Sequence, residues 1–240
     1  MKSVVFDLDG TLADTSKDLI AAANACFMAL DLGEPLDPIT DALVAFAGGR
    51  AMLKLGFERA GYYDELKVME QYPILLKHYA KYIDVHTTLY DGVIEALDEL
   101  TRRGYLLGVC TNKPEGLSQE LLTRLGIRKR FLAMIGADTL SVRKPDPIHL
   151  WTTIDQMGGD RNKAVLIGDT ITDRNTAKNA DVPCILVSFG PEGDGVNRME
   201  PSALLNHYFD LPDLVDNIPV SYTHLRAHET PEHLVCRLLL

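Results

Sequence analysis

Asp7 and Asp9 stand one residue apart in the run Val4-Val5-Phe6-Asp7-Leu8-Asp9-Gly10-Thr11-Leu12. An apolar, partly β-branched run of this kind reads as a buried strand, and Gly10 breaks it directly after the two carboxylates. In an open α/β sheet, ligands collect at the carboxyl ends of the strands. Two acids fixed at such an end suit a divalent cation and an attack on an electrophile. Taken alone, the pattern also describes a strand ending in a solvated acidic turn, so other residues must decide.

Three later segments carry polar groups at the ends of apolar runs. Val109-Cys110-Thr111-Asn112-Lys113-Pro114 places a hydroxyl and an amide where a helix would begin. Thr111 and Asn112 can hold phosphoryl oxygens there, or simply cap the helix. In Arg143-Lys144-Pro145-Asp146-Pro147 the proline restricts the backbone of Lys144 and favours an extended conformation. That aims the Lys144 ammonium inward, while Arg143 is expected to face outward. Gly168-Asp169-Thr170-Ile171-Thr172-Asp173 puts two acids four apart, on one face of any helix starting here. Asp169 would then face the Asp7 and Asp9 cluster. Carboxylates converging on one point repel unless a cation is present, and oxygen ligands without His or Cys favour Mg²⁺ over zinc. Asp173 also suits the positive end of a helix dipole.

The elements that must position these groups follow from periodicity. Strands are expected at residues 4–8, 105–110, 134–136, 164–167 and 184–188, and amphipathic helices at 91–103, 114–125, 147–157 and 172–180. This alternation predicts an α/β fold, a Rossmann-like, mainly parallel sheet core with helices on both faces. Residues 14–87 break the rhythm with four helical stretches, 18–30, 39–46, 50–60 and 64–83, and with Pro35 and Pro38 between the first two. Thr15 with Asp18 resembles a capping box at their entry. An all-helical block inserted after the first strand reads as a lid that excludes water from a cleft. The expected organisation is a core of residues 1–13 and 88–219, a helical cap of 14–87, and a tail of 220–240.

Composition narrows the partners. The chain has 240 residues, 46% hydrophobic and 24% charged, an ordinary globular balance. A formal net charge of -10 argues against nucleic acid or an anionic membrane as partner. Cys26, Cys110, Cys184 and Cys236 are scattered without CxxC spacing, with Cys110 and Cys184 expected as small buried residues of strands. A reducing, cytoplasmic setting is expected, with neither a signal peptide nor a membrane span. Three of the seven histidines, His224, His228 and His233, fall in the tail, at spacings that fit no closed zinc site. Residues 221–231 resemble a peptide translated from sequencing-adapter DNA, so the tail is expected to be foreign or disordered.

Asp7-x-Asp9-Gly10-Thr11, Thr111-Asn112, Lys144-Pro145 and Gly168-Asp169-x-x-x-Asp173, in this order, resemble the haloacid dehalogenase superfamily. The likeness is to its phosphoglycolate phosphatase group, in which a helical cap follows the first motif, and it covers about residues 2–218. It implies Asp7 as the nucleophile, forming an aspartyl-phosphate, and Asp9 as the acid and then the base. It further implies Mg²⁺ on the carboxylates of Asp7 and Asp169 and the backbone carbonyl of Asp9. Phosphoryl oxygens would rest on Thr111 and the Asn112 backbone. Lys144 would neutralise charge, and Asp173 would orient the metal waters or Lys144. Dehalogenating members lack an acid matching Asp9, so phosphate ester cleavage is implied.

In the cap, Phe46-Ala47-Gly48-Gly49-Arg50 lets a loop approach the cleft, with Arg50 either pairing with a substrate carboxylate or solvated. Lys54 reads as surface and Trp151 as packing. Asp91, Thr170 and Asp181 depart from the family's habits without touching the chemistry. The implied partner is a small phosphorylated metabolite, 2-phosphoglycolate first, hydrolysed by a monomer or homodimer. Alternatives are a β-phosphoglucomutase-type phosphotransferase, a phosphatase for another sugar phosphate or nucleotide, a phosphonate hydrolase using Lys54, and a binding module.

Overall fold

The computed structural model describes residues 1–218; the expectations for the tail, including its histidines and Cys236, fall outside them. The chain runs β1 (Ser3–Phe6), β2 (Ala13–Asp14), then helices α1 (Ser16–Met28), α2 (Ala42–Phe46), α3 (Gly49–Arg59) and α4 (Glu65–Lys81). It continues through β3 (Thr88–Leu89), α5 (Val93–Arg102), β4 (Leu106–Cys110), α6 (Glu115–Arg124), β5 (Ala133–Ile135) and α7 (Pro147–Gln156). The last elements are β6 (Ala164–Gly168), α8 (Ile171–Ala180), β7 (Cys184–Val187), β8 (Ala203–Leu205) and α9 (Leu211–Asn217). Among these residues no helix is long and apolar enough to cross a membrane.

Six strands form one parallel sheet in the order β5-β4-β1-β6-β7-β8. The α/β core with helices around a parallel sheet is therefore as expected, and all five expected strands are present. β8 is additional, three apolar residues just past Pro201-Ser202. Strand β1 lies in the middle, its side chains alternating between faces: Val4 and Phe6 join one apolar cluster and Val5 the other. Phe6 meets Phe131 edge to face, and its burial contributes on the order of 1.5–3 kcal/mol. Trp151 packs as expected, half-buried, with its indole N–H on the Ala180 carbonyl.

Register brings the polar ends together. Phe6 pairs with Val109 on one side and Ile167 on the other, so Asp7 lies level with Cys110 and Gly168. The chain diverges outward from β1 to β4 and β5 on one side and to β6 and β7 on the other. That reversal of strand order opens a crevice at the carboxyl ends.

The helical block leaves and returns through a short antiparallel pair, Ala13 beside Leu89 and Asp14 beside Thr88. The capping box expected at its entry does not form. Thr15 precedes α1 without a side-chain cap and instead donates to Asp9 Oδ1 at 2.7 Å. Asp18 accepts from the backbone N–H of His86 and Thr87 and from the Thr87 hydroxyl, at 2.8–3.0 Å. Tertiary partners outbid the local ones, and Asp18 fastens the incoming helix to the outgoing chain.

Cys110 is buried as expected, but it is not merely apolar. Its Sγ lies 3.1 Å from His149 Nδ1, and His149 Nε2 lies 3.0 Å from the Gly136 carbonyl. The carbonyl requires a proton on Nε2, so the thiol donates to Nδ1. Burial pushes the thiol up to about 12 and the imidazole down, which keeps both neutral.

Candidate active site

The tight turn after β1 is held by Leu8, whose carbonyl accepts from the N–H of Leu12 at 2.9 Å. Asp7 is thereby set at the strand end, with Oδ1 accepting the Leu8 N–H at 2.7 Å and lying 3.0 Å from Lys144 Nζ. Lys144 is 3% exposed and donates to Asp173 Oδ1 at 2.7 Å. Asp173 Oδ2 accepts from Thr170 N and Oγ1, completing a capping box at the start of α8. Both carboxylate oxygens of Asp173 are thus committed to holding Lys144 and the loop after β6.

Asp169 differs. Its Oδ1 accepts from the Thr11 hydroxyl at 3.0 Å, while its fully buried Oδ2 has no partner among the described residues. A buried carboxylate oxygen left bare is costly, so its presence calls for a ligand. Two glycines make the close approach possible. A Cβ on Gly10, whose φ is +78°, would lie 2.2 Å from Asp169 Oδ2. One on Gly168 would lie 2.3 Å from Asp173 Cβ.

Carboxylate oxygens of Asp7, Asp169 and Asp173 come within 4.8 Å of one another. Burial first, then the neighbouring acids, push Asp7 up to about 6 against the pull of Lys144. Asp169 is raised by burial and by Asp173 and Asp7. For Lys144, burial works against the charge, but Asp173 and Asp7 outweigh it and hold its pKa above the usual lysine range. Three acids around one lysine leave the cluster short of positive charge, the condition in which hard oxygen donors take a divalent cation.

Asp9 faces the other way, toward the helical block. Its Oδ1 accepts from Thr15 and lies 2.9 Å from Lys113 Nζ. Lys113 also donates to the Tyr79 hydroxyl of α4 at 2.8 Å and sits 4.1 Å from that ring's centroid. Sequence reasoning assigned Lys113 and Tyr79 no role. Lys113 sits beside the Thr111-Asn112 pair, but only the docking of α4 shows what it touches.

A cleft of ≈ 480 Å³ lies between the strand ends and the block, lined by Asp7, Asp9, Thr111, Lys144, Arg50 and Tyr79 among others. Thr111 is buried and its Oγ1 accepts the Lys113 N–H at 3.2 Å, which leaves its own proton to donate. The Asn112 side chain donates to the Lys144 carbonyl at 3.0 Å, so its amide braces the neighbouring loop, and the residue lines the cleft. Arg50 reaches the cleft from the first turn of α3, exposed and stacked over Tyr72. Arg143 is exposed at the rim. Lys54 is on the surface beside Glu58, as expected.

A central parallel strand ending in two acids, with a lysine and further acids converging from later loops, is the arrangement of one class of hydrolases. The chain belongs to the haloacid dehalogenase-like hydrolase family, whose sequence model matches residues 4–187. It is 40% identical over 208 residues to the phosphoglycolate phosphatase of Mesorhizobium japonicum, spanning 85% of this chain and 90% of the relative. It is 31% identical over 219 residues to the N-acetylmuramic acid 6-phosphate phosphatase of Pseudomonas aeruginosa, spanning 90% and 95%. Its fold superposes on a crystal structure of a predicted phosphoglycolate phosphatase from Haemophilus somnus with a TM-score of 0.80 at 23% identity, covering 89% of this chain and 97% of that one.

Proposed function

We propose that this hydrolase is a phosphatase for small phosphomonoesters, 2-phosphoglycolate first, working through an aspartyl-phosphate on Asp7. The carrying observation is the division of labour between the two acids: Asp7 is held by Lys144 inside the acidic cluster, and Asp9 stands beside it with different partners. In this reading Asp7 Oδ attacks phosphorus in line, a P–O bond to Asp7 forms and the ester P–O bond breaks. Asp9 gives its proton to the departing alkoxide, then takes one from the water that attacks the aspartyl-phosphate, releasing inorganic phosphate and restoring Asp7. Thr111 Oγ1 and the Asn112 backbone N–H hold phosphoryl oxygens. Lys144 spreads its charge over nucleophile and phosphate, and Asp173 keeps it aimed.

The bare Asp169 Oδ2, the surplus of negative charge and the oxygen-only donor set fit a magnesium ion. Asp7, Asp169 and the Asp9 carbonyl would hold it, and when bound it lowers the repulsion between carboxylate and phosphate. Residues 14–87 act as a cap over a core of 1–13 and 88–219, and the enzyme is a cytoplasmic monomer or homodimer. A second reading, a larger sugar phosphate, is supported by the cleft volume, which a two-carbon acid would leave largely unfilled.

Phosphate release from a panel of esters, with Mg²⁺ and no sugar acceptor, tests the proposal. The largest kcat/KM is expected for 2-phosphoglycolate, and Asp7→Asn is expected to lower turnover by about 10⁴-fold or more with the fold retained. Near wild-type release by Asp7→Asn would end the mechanism. Turnover that requires a sugar phosphate acceptor would move the assignment to a phosphotransferase.

A further inference from the structure

A buried lysine remains once the chemistry at the strand ends is assigned. Lys113 is 6% exposed, and its ammonium is shared between Asp9 and the Tyr79 hydroxyl. Its three N–H donors meet Asp9 Oδ1 at 2.9 Å, Asp9 Oδ2 at 3.2 Å and the Tyr79 hydroxyl at 2.8 Å, so the contact with Asp9 Oδ2 is the longest of the three. Tyr79 is 1% exposed and accepts from Lys113; among the described residues its own proton has no acceptor. Both side chains line the cleft. A hydroxyl with its proton unused, beside a cation whose long bond to Asp9 Oδ2 an incoming acceptor can replace, forms a seat for an acceptor-rich, anionic group.

The position of the seat says which anion. Asp9, as the proton donor, must lie against the bridging oxygen of the ester. A substituent on the carbon bearing that oxygen then falls among the groups that touch Asp9, and Lys113 Nζ is 2.9 Å from Asp9 Oδ1. In an α-phosphoryloxy acid that substituent is the carboxylate. We propose that Lys113 and the Tyr79 hydroxyl seat this carboxylate and so select esters whose acid group sits on the carbon bearing the bridging oxygen. The inference rests on the phosphatase reading above. It assigns Arg50, exposed and stacked on Tyr72, to substituents farther from the phosphate. It also makes the seat a joint product of core and block, since Lys113 follows β4 and Tyr79 belongs to α4.

The test compares kcat/KM for 2-phosphoglycolate with that for 2-hydroxyethyl phosphate, which has a hydroxymethyl group in place of the carboxylate, using the full chain with Mg²⁺. The ratio is the readout, because losing a partner of Asp9 can slow both esters. Lys113→Met is expected to lower the ratio about 10- to 100-fold and Tyr79→Phe about 3- to 10-fold, mostly through KM for the acid. Lys113→Arg is expected to restore most of it. Tyr79→Phe removes one oxygen from a packed ring, so it reads the seat even where Lys113→Met fails to fold. Equal losses on both esters, or a ratio carried by Arg50→Ala instead, would overturn the seat. A wild-type enzyme that prefers the neutral ester would overturn it and leave the phosphatase standing. Absence of turnover on every ester would bring down the phosphatase reading, and the seat with it.

Discussion

Lys144 and Lys113 are two buried lysines at the ends of strand-to-loop segments, each paired with one acid of the Asp7-x-Asp9 run. In both, burial works against the ammonium and neighbouring acids outweigh it, holding Lys113 at about 12 and Lys144 higher still. Their remaining partners differ. Lys144 takes Asp173 from the first turn of α8, so its position is set without the helical block. Lys113 takes Tyr79 from the helical block, so its surroundings exist only where the block docks. The same residue type, buried in both cases, is built into the acidic cluster of the core in one and into the meeting of two layers in the other. On the proposed function, chemistry common to every ester belongs with Lys144, and discrimination among esters with Lys113.

The largest effect should separate them outright. Lys144→Met is expected to lower phosphate release from every ester about 10³-fold. It also strands Asp7, Asp169 and Asp173 without their cation, a loss of about 3–5 kcal/mol, or roughly 10 °C in Tm for a chain of this size. Kinetics on acidic and neutral esters, with a calorimetric scan, check both halves. An ester-dependent loss in Lys144→Met would erase the distinction between the lysines. Next comes Gly10→Ala, which touches neither lysine. Its Cβ would lie 2.2 Å from Asp169 Oδ2 at a φ of +78°, so Mg²⁺ affinity is expected to fall about 10²-fold as Asp169 is displaced. Titration calorimetry with Mg²⁺ reads this, and unchanged affinity would remove Asp169 Oδ2 as a ligand.

The same contrast explains what could be read from the chain. The core side was legible because each strand is a short apolar run ending in a polar group, and register alone then gathers Asp7, Thr111 and Asp169. β8 escaped because three apolar residues after a proline carry no periodicity. The boundary side was much less legible. Lys113 and Tyr79 are separated by 34 positions, and nothing local in the turn after β4 or in α4 marks them as neighbours. The Thr15 and Asp18 pair had the spacing of a capping box, yet Asp9 and the His86–Thr87 backbone claimed both side chains. Local rules failed where two layers meet, which is where the residues proposed to discriminate lie.

A smaller effect concerns the acids themselves. The folded-state pKa of Asp7 is raised from 3.8 to about 6, and that of Asp169 is raised as well. Between the unfolded and folded values the native protein holds extra protons, so the metal-free protein loses stability as pH rises through this window. Bound Mg²⁺ offsets the repulsion only where the acids are ionised. The rise in Tm on adding Mg²⁺ is therefore expected to be several degrees larger at pH 7.5 than at pH 5. Equal shifts at both pH values would detach the metal from this cluster.

The smallest change sharpens the boundary half without entering the cleft. Asp18 ties α1 to the returning chain through two backbone N–H groups and the Thr87 hydroxyl. In Asp18→Asn one acceptor oxygen becomes an NH₂, so these donors lose part of their partner, at a cost of about 1 kcal/mol, or roughly 2–4 °C in Tm. The loss is confined to the hinge, so hydrogen exchange should quicken at residues 86–88 while the β1 and β6 amides keep their protection. Because the Lys113–Tyr79 pair needs the block docked, preference for the acidic ester should fall a few-fold while turnover of the neutral ester holds. Uniform loosening of the sheet and the hinge together would mean that the two halves share one cooperative unit, and that the division between the lysines is chemical without being mechanical.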